Sequence, residues 1–486
     1  MKKNFLTAGA VLVTAILLAT SIAQAADVTM GGEFWTRYEV FERNDFQDQS
    51  EADTYIQGRV RLNANVNVND TTSAFIQLQS NRSSWGDANN GNGTAAAPGG
   101  IGGNQSVNDM QRDVGMHQAY FTLKNFANTS LDMKVGRQEI ILDAHRIFGN
   151  TLWTMGAHSH DAIRLDHKHD NLSLTYAFIT EAEETQASDP SDGSDRTTQV
   201  IYGNMAGVLG GKLSAMYIYH ADGCGGRDTA LADGTCQGGA NDIHTIGFRQ
   251  AGQLFGLDYR GEYYYQFGDA MGRVATGNTT LYVNDQRDIE RQAYMFGVRV
   301  GKQFKNVSMK PKLTLWYDYL SGTSDDDARN GDWKSFQTVY DTGHKFYGLQ
   351  DNFLQIGNNH NNAGTGGLGL QDVAVKAQVS PAPGWALKAD FHWFTTAAGV
   401  AGSPQRSGVS GGGVTDSSDL GQELDVTLVN KYNANTKIMM GYSHYTQGPA
   451  LGALRTAYGN DDANWFYTQV GINAIDTQNT YFNFDF

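Results

Sequence analysis

Residues 55–69 read Tyr-Ile-Gln-Gly-Arg-Val-Arg-Leu-Asn-Ala-Asn-Val-Asn-Val-Asn. Ile56, Val60, Leu62, Ala64, Val66 and Val68 fall on one parity. Gln57, Arg59, Arg61, Asn63, Asn65, Asn67 and Asn69 fall on the other. Successive side chains of a strand point to opposite faces, so this stretch is a strand with one apolar and one strongly polar face. The period recurs. Leu257, Tyr259, Tyr263, Tyr265 and Phe267 oppose Asp258, Arg260, Glu262 and Gln266, and Trp385, Leu387, Ala389, Phe391 and Trp393 oppose Lys388, Asp390 and His392. In 307–319, Val307, Met309, Leu313, Leu315, Tyr317 and Tyr319 oppose Ser308, Lys310, Lys312, Thr314 and Asp318.

A soluble sandwich also alternates, but three features favour a membrane barrel. The segments run to about ten residues or more. Their apolar faces end in Tyr, Trp or Phe, as an interfacial girdle does. Short connections (69–70, 169–170, 380–384, 433–435) alternate with long ones (86–108, 182–196, 221–241, 268–288, 321–368, 396–419), the rhythm of periplasmic turns and outer loops. The expected fold is an all-β, antiparallel transmembrane β-barrel of about 18 strands in the outer membrane of a Gram-negative cell, with lipid and lipopolysaccharide around it. Residues 463–472 already complete an even count, so the tail with Phe482, Phe484 and Phe486 is an extra periplasmic piece, a bulged continuation or a sign of a miscounted strand.

The 486 residues include 57 Gly, 7 Pro and 23 each of Tyr and Phe, a β-rich composition incompatible with disorder. A net charge of -15 argues against a nucleic-acid partner. Residues 1–25 read as a secretory signal: Lys2 and Lys3, a short apolar stretch, then Ala23-Gln24-Ala25 as the cleavage site. Residues 26–486 then form one barrel domain. Cys224 and Cys236 flank a glycine-rich polar stretch and are expected to form one disulfide in an oxidising compartment.

A barrel of this size should enclose water rather than a packed core. The strand phase places Arg59, Arg61, Arg164, Arg249, Arg260, Arg299, Lys310, Lys312, Lys376 and Lys388 inside, together with Lys124, Lys134, Lys168, Lys212, Lys431 and Lys437. Fewer acids share that face, among them Asp132, Asp166, Asp258, Glu262, Asp318, Asp390, Glu423 and Asp425. The acidic surplus lies in the connections, at 42–53, 181–195 and 325–332, which are suited to surface divalent cations or simply to solubility. A net-basic wall favours anions, although cross-strand pairing, with Asp258, Arg260 and Glu262 as a candidate ladder, would neutralise part of it.

Two stretches are more specific than periodicity: residues 136–167, GRQEIILDAHRIFGNTLWTMGAHSHDAIRLDH, and the C-terminal LGQELDVTLVNKYNANTKIMMGYSHYTQG with NWFYTQVGI. They resemble the alginate-export porin family. The resemblance implies a monomeric barrel with a basic constriction that passes a polyuronate outward, alongside periplasmic export components. It nominates Arg137, Arg146 and Arg164 as substrate contacts, since a planar guanidinium matches a carboxylate. Arg137 follows the lipid-facing Leu131, Met133 and Val135, so it reaches the lumen only through a bulge at Gly136.

No HExxH, GxSxG or phosphate-binding glycine loop occurs, and no CxxCH. Neither catalysis, nor a metal centre, nor a cofactor is expected. The function expected is passive diffusion of anionic solutes, with an alginate-like polysaccharide as the cargo that the resemblance implies. The alternative is a scaffold barrel that sheathes a partner such as an electron carrier or secretion component.

Overall fold

A computed structural model describes residues 27–42, 52–82, 114–182, 196–222, 242–270, 289–324, 326–327, 330–353, 365–399, 416–454 and 461–473. Residues 1–25, the cysteines Cys224 and Cys236, the tail 474–486 and most of the acidic connections lie outside the described residues.

The alternating segments form strands β1 (Asp27–Glu42), β2 (Asp53–Asn67), β3 (Thr72–Arg82), β4 (Gly115–Leu123), β5 (Leu131–Gln138) and β6 (His160–His169). There follow β7 (Leu172–Ala182), β8 (Arg196–Val208), β9 (Gly211–Asp222), β10 (Ile243–Leu254), β11 (Leu257–Ala270), β12 (Ile289–Gln303) and β13 (Lys312–Leu320). The chain ends with β14 (Asp332–Trp333), β15 (Leu370–Val379), β16 (Trp385–Thr395), β17 (Asp419–Lys431), β18 (Thr436–Gln447) and β19 (Ala463–Asn473). Each wall strand pairs antiparallel with its neighbours, and β1 closes on β19 from Glu33↔Asn473 to Glu42↔Asn464. The two-residue β14 belongs to the connection after β13 and pairs parallel with β12. The wall is therefore a closed cylinder of 18 strands, the expected number. Closure leaves no edge whose backbone groups would have to face lipid unpaired.

The deciding stretch has the expected phase. Val60 and Leu62 are exposed at 38% and 58% on the outer face, while Arg59 and Arg61 are 0% and 1% exposed inside. Ile76, Ile163, Ile201, Phe248, Leu315 and Val373 continue the apolar exterior. Rings meet across its strands, as in the stack of His244 between Tyr219 and Phe267 at centroid distances of 4.4 and 4.9 Å.

The segment expected to begin at Val307 differs. Its strand starts at Lys312, and 304–311 is a turn in which Met309 and Lys310 take left-handed backbone, φ 60° and 45°. Pro311 has no N–H to give a ladder, and its carbonyl instead accepts the Phe304 N–H at 2.8 Å. Lys310 is thus an exposed turn residue rather than a lumen residue, and Lys124 likewise sits in the turn after β4.

The interior differs too. The connections 139–159 and 321–369 bring Ile147, Phe148, Phe336, Phe346 and Phe353 inside, where they pack against inward apolar residues of the wall such as Ile179, Val200, Ile218, Met295 and Phe394. Part of the lumen is therefore a packed core. Leu62→Arg, which places a charge on the lipid face, should lower barrel stability by about 2–4 kcal/mol in urea unfolding from bilayers. Asn65→Ser, at a half-buried position of the inner face, should change it by less than about 1 kcal/mol.

Candidate functional site: a lumen narrowed by two loops

Loop 139–159 enters the barrel after β5 and meets loop 321–369 at an isolated parallel bridge between Phe148 and Tyr340, flanked by further backbone hydrogen bonds. Gly149 N–H donates to the Tyr340 carbonyl at 2.7 Å, Tyr340 N–H to Ile147 at 3.0 Å, and Thr342 N–H to His145 at 3.0 Å. Trp153 stacks on His344 with centroids 4.0 Å apart, and the Arg37 guanidinium covers Trp153 at 3.9 Å.

The arginines of the wall hold this junction. Arg59 Nε donates to Glu33 Oε1 at 2.6 Å, and its Nη1 reaches the carbonyls of Leu152 and Thr154 at 3.2 and 3.0 Å. Arg61 Nε donates to Gln79 at 2.7 Å, and its Nη1 lies 3.4 Å from Glu139. Arg37 donates to the Trp153 carbonyl at 2.9 Å. Burial opposes ionisation of Glu139, but its contacts with His117, Arg61 and Asn150 outweigh that and hold its carboxyl below the usual range.

Arg146 is the reverse case, a loop arginine held by wall carboxylates. Its Nη2 lies 2.6 Å from Asp318 Oδ2 on β13 and 3.0 Å from Glu262 Oε1 on β11. Its Nη1 donates to the Tyr347 hydroxyl at 2.7 Å, and its plane lies 3.8 Å over the Phe346 ring. One side chain thus ties both loops to two strands.

The other nominated residues separate by position. Arg249 lies 3.6 Å from Asp143 and 3.9 Å from Glu262, and Arg299 lies 3.6 Å from Glu262 and 3.5 Å from Asp318, with the Trp316 ring beneath it. Arg164 pairs with Asp166 at 2.8 Å, Lys312 with Asp258 at 2.9 Å and Lys376 with Asp390 at 2.8 Å. Lys388 lines a recess on the β16 side. The ladder expected among Asp258, Arg260 and Glu262 is not formed, because each acid is taken by a cation from another strand or from loop 139–159. Arg260 is 6% exposed, stands opposite Arg299 in register, and has neither an ion pair nor a side-chain hydrogen bond among the described residues.

Arg137 is a correction. No register shift occurs at Gly136, which pairs with Tyr120 and Ala162 in unbroken ladders. Its φ of 122° and a Cβ position only 2.3 Å from the Ala119 carbonyl explain the glycine as close approach of the next strand, not as a bulge. Arg137 stays on the outer face, paired with the exposed Asp161 at 2.9 Å. Arg37 and Arg291 were missed, although the alternation that found Arg59 and Arg299 also places them inside.

A profile of the alginate export family matches residues 26–464. The chain belongs to this family. No curated protein sequence matches it. Among solved structures, Acinetobacter baumannii OccAB1 is 12% identical, covering 92% of this chain and 97% of its own at a TM-score of 0.54. OccAB4 from the same organism is 11% identical, with 93% and 99% coverage and a TM-score of 0.52. Pseudomonas aeruginosa OpdQ is 10% identical, with 92% and 98% coverage and a TM-score of 0.50. These identities support the barrel fold alone, and family and fold together make this chain an outer-membrane channel for solutes.

Arg146→Ala leaves Glu262 and Asp318 short of a buried partner and should weaken loop docking by about 3–5 kcal/mol. The measurable result is a larger single-channel conductance and faster trypsin cleavage within the two loops. The Glu139 clamp should respond to acid. A depressed folded pKa means its stabilisation is complete above the ordinary glutamate value of about 4.3 and is lost as pH falls through the lower folded value. Conductance should be flat from neutral to mildly acidic pH and rise only below that, and Glu139→Gln should remove this acid limb.

Proposed function

We propose that this channel passes anionic solutes by passive diffusion, with arginine as the selecting side chain. The observation that carries it is Arg260, a buried guanidinium with no ion pair among the described residues, facing Arg299 across the β11–β12 ladder. Two like charges directly opposite destabilise a sheet unless something of opposite sign comes between or beside them. Glu262 and Asp318 meet Arg299 but are also shared with Arg146 and Arg249. Around these two carboxylates the arginines are therefore in surplus, and a passing carboxylate is the partner that a planar guanidinium fits best.

The family name points to alginate, a chain of carboxylated sugars, as the natural cargo. The narrowed lumen and the pairing of most wall arginines favour a slender anion or a single anionic chain over bulk flow. The purified barrel in a planar bilayer under a potassium chloride gradient should give a reversal potential of anion-selective sign, and a cation-selective one would overturn the reading. A fixed charge a few ångströms from an ion in a watery pore is worth about 1 kcal/mol, so Arg260→Gln should cut the chloride-to-potassium permeability ratio about fivefold.

A further inference from the structure

The periplasmic rim is uneven in charge. Asp70 and Asp170 sit in the turns after β2 and β6. The connections 209–210, 255–256, 304–311 and 380–384, which join β8 to β9, β10 to β11, β12 to β13 and β15 to β16, contain no acidic residue. The third of these is long and ordered. Its Phe304 N–H donates to the Pro311 carbonyl at 2.8 Å and its Lys310 N–H to Val307 at 2.9 Å, while the Met309 carbonyl accepts the Ser380 N–H of the next connection at 2.7 Å. Lys302, Lys305 and Lys310 lie exposed on and beside it, and none has an ion pair among the described residues. Asp258, opposite Gly301 in register, has the inward parity and is taken by Lys312 at 2.9 Å.

Lys302 is on the outward parity of β12, below Val298 and Val300 in the lipid-facing column and opposite Leu313 of β13. Its Nζ lies 5.4 Å from the centre of the Phe304 ring. Phe304, Val307 and Met309 are exposed beside these lysines, and Trp385, at the start of β16, is an exposed aromatic of the kind that sits at head-group depth. A lysine in such a place lays its stem along apolar surface and keeps its ammonium among the head groups. The tip of the β10–β11 hairpin has the same character. Phe255 and Gly256 take φ of 52° and 74°, left-handed positions that favour Asn-Gly, yet the first is a phenylalanine that is 99% exposed. Packing within the protein does not account for that ring, whereas an apolar surrounding does.

We propose that this arc of the rim, centred on the β12–β13 connection, binds an anionic phospholipid of the inner leaflet, a diacyl lipid whose head carries a phosphodiester and no ammonium. Lys302 meets the phosphodiester, Lys305 and Lys310 add to the positive field around it, and the exposed apolar side chains of β12, β13 and their connection meet the acyl chains. A zwitterionic head brings an ammonium that needs a carboxylate, and these connections offer none, so the arc discriminates by head-group charge. A soluble acidic protein fits less well, because Lys302 stands in the lipid-facing column, where such a partner does not reach. The site lies on the outside of the barrel and goes beyond the anion reading of the lumen.

The test is native mass spectrometry of the barrel purified in detergent from outer membranes and mixed with equal amounts of dioleoyl phosphatidylglycerol and dioleoyl phosphatidylethanolamine. The barrel should retain phosphatidylglycerol on the order of tenfold more, since each lysine at a lipid surface is worth about fivefold. The triple variant Lys302→Gln, Lys305→Gln, Lys310→Gln should bring the two lipids within about twofold of each other, and Lys302→Arg, Lys305→Arg, Lys310→Arg should keep the preference. Both variants change exposed side chains only, and heat-modifiable mobility on gels verifies that each is folded. Equal retention of the two lipids by the unaltered barrel, or an undiminished preference in the glutamine variant, overturns the proposal. Displacement of phosphatidylglycerol by inorganic phosphate would make the arc a free-anion site, and displacement by a polyglutamate peptide would make it a protein-docking face, so either result also overturns it.

Discussion

A closed wall of 18 strands is too wide for its own side chains to fill, and that constraint governs the interior. Whatever narrows such a cylinder must come from the connections, and a connection that enters brings backbone groups needing partners away from bulk water. Arg146 shows how the chain meets that demand. It carries a positive charge inward on loop 139–159 and meets Asp318 and Glu262, fixed on two wall strands, while Tyr347 and Phe346 of the other loop close around it. The wall supplies the counter-charge, and the two loops supply the remaining hydrogen bond and the apolar cover.

That arrangement changes what an inward arginine means. Arg37 and Arg59 point into the barrel, yet they donate to carbonyls of loop 139–159, and Arg61 meets the carboxylate of Glu139. They act as fasteners of a constriction. A basic lumen counted from side-chain direction alone therefore overstates the charge offered to a solute. Few wall cations are left over once the loops are seated, and Arg260, with no ion pair among the described residues, is one of them.

The wall was legible in the sequence because one rule, period 2, acts on every strand. It placed Val60 and Leu62 outside and Arg59, Arg61 and Arg299 inside. It failed for Lys310, where Pro311 ends the alternation and two residues turn left-handed. Its own logic placed Arg137 outside, and the bulge needed to move that residue inward did not form, because Gly136 serves close strand approach. The constriction was not legible. Loops have no period, and the pairing of Arg146 with residues 116 and 172 positions away depends on closure of the cylinder. One signal was present: Trp316 and Phe394 have the inward parity, and large apolar side chains on that face imply something apolar to cover them.

Ionic fastening is a specific choice for a constriction. Replacing a buried ion group by apolar side chains of similar volume is often no less stable, so stability alone does not call for the Arg146 cluster. An apolar plug, however, would pack against any apolar stretch of wall and could slide along it. A guanidinium that needs Asp318, Glu262 and the Tyr347 hydroxyl together has one position, which fixes the height of the constriction along the barrel. The same requirement separates the walls. The acids that β11 and β13 supply, Glu262 and Asp318, are taken by Arg146, and Arg260, on the same face of β11 as Glu262, is left without an ion pair among the described residues.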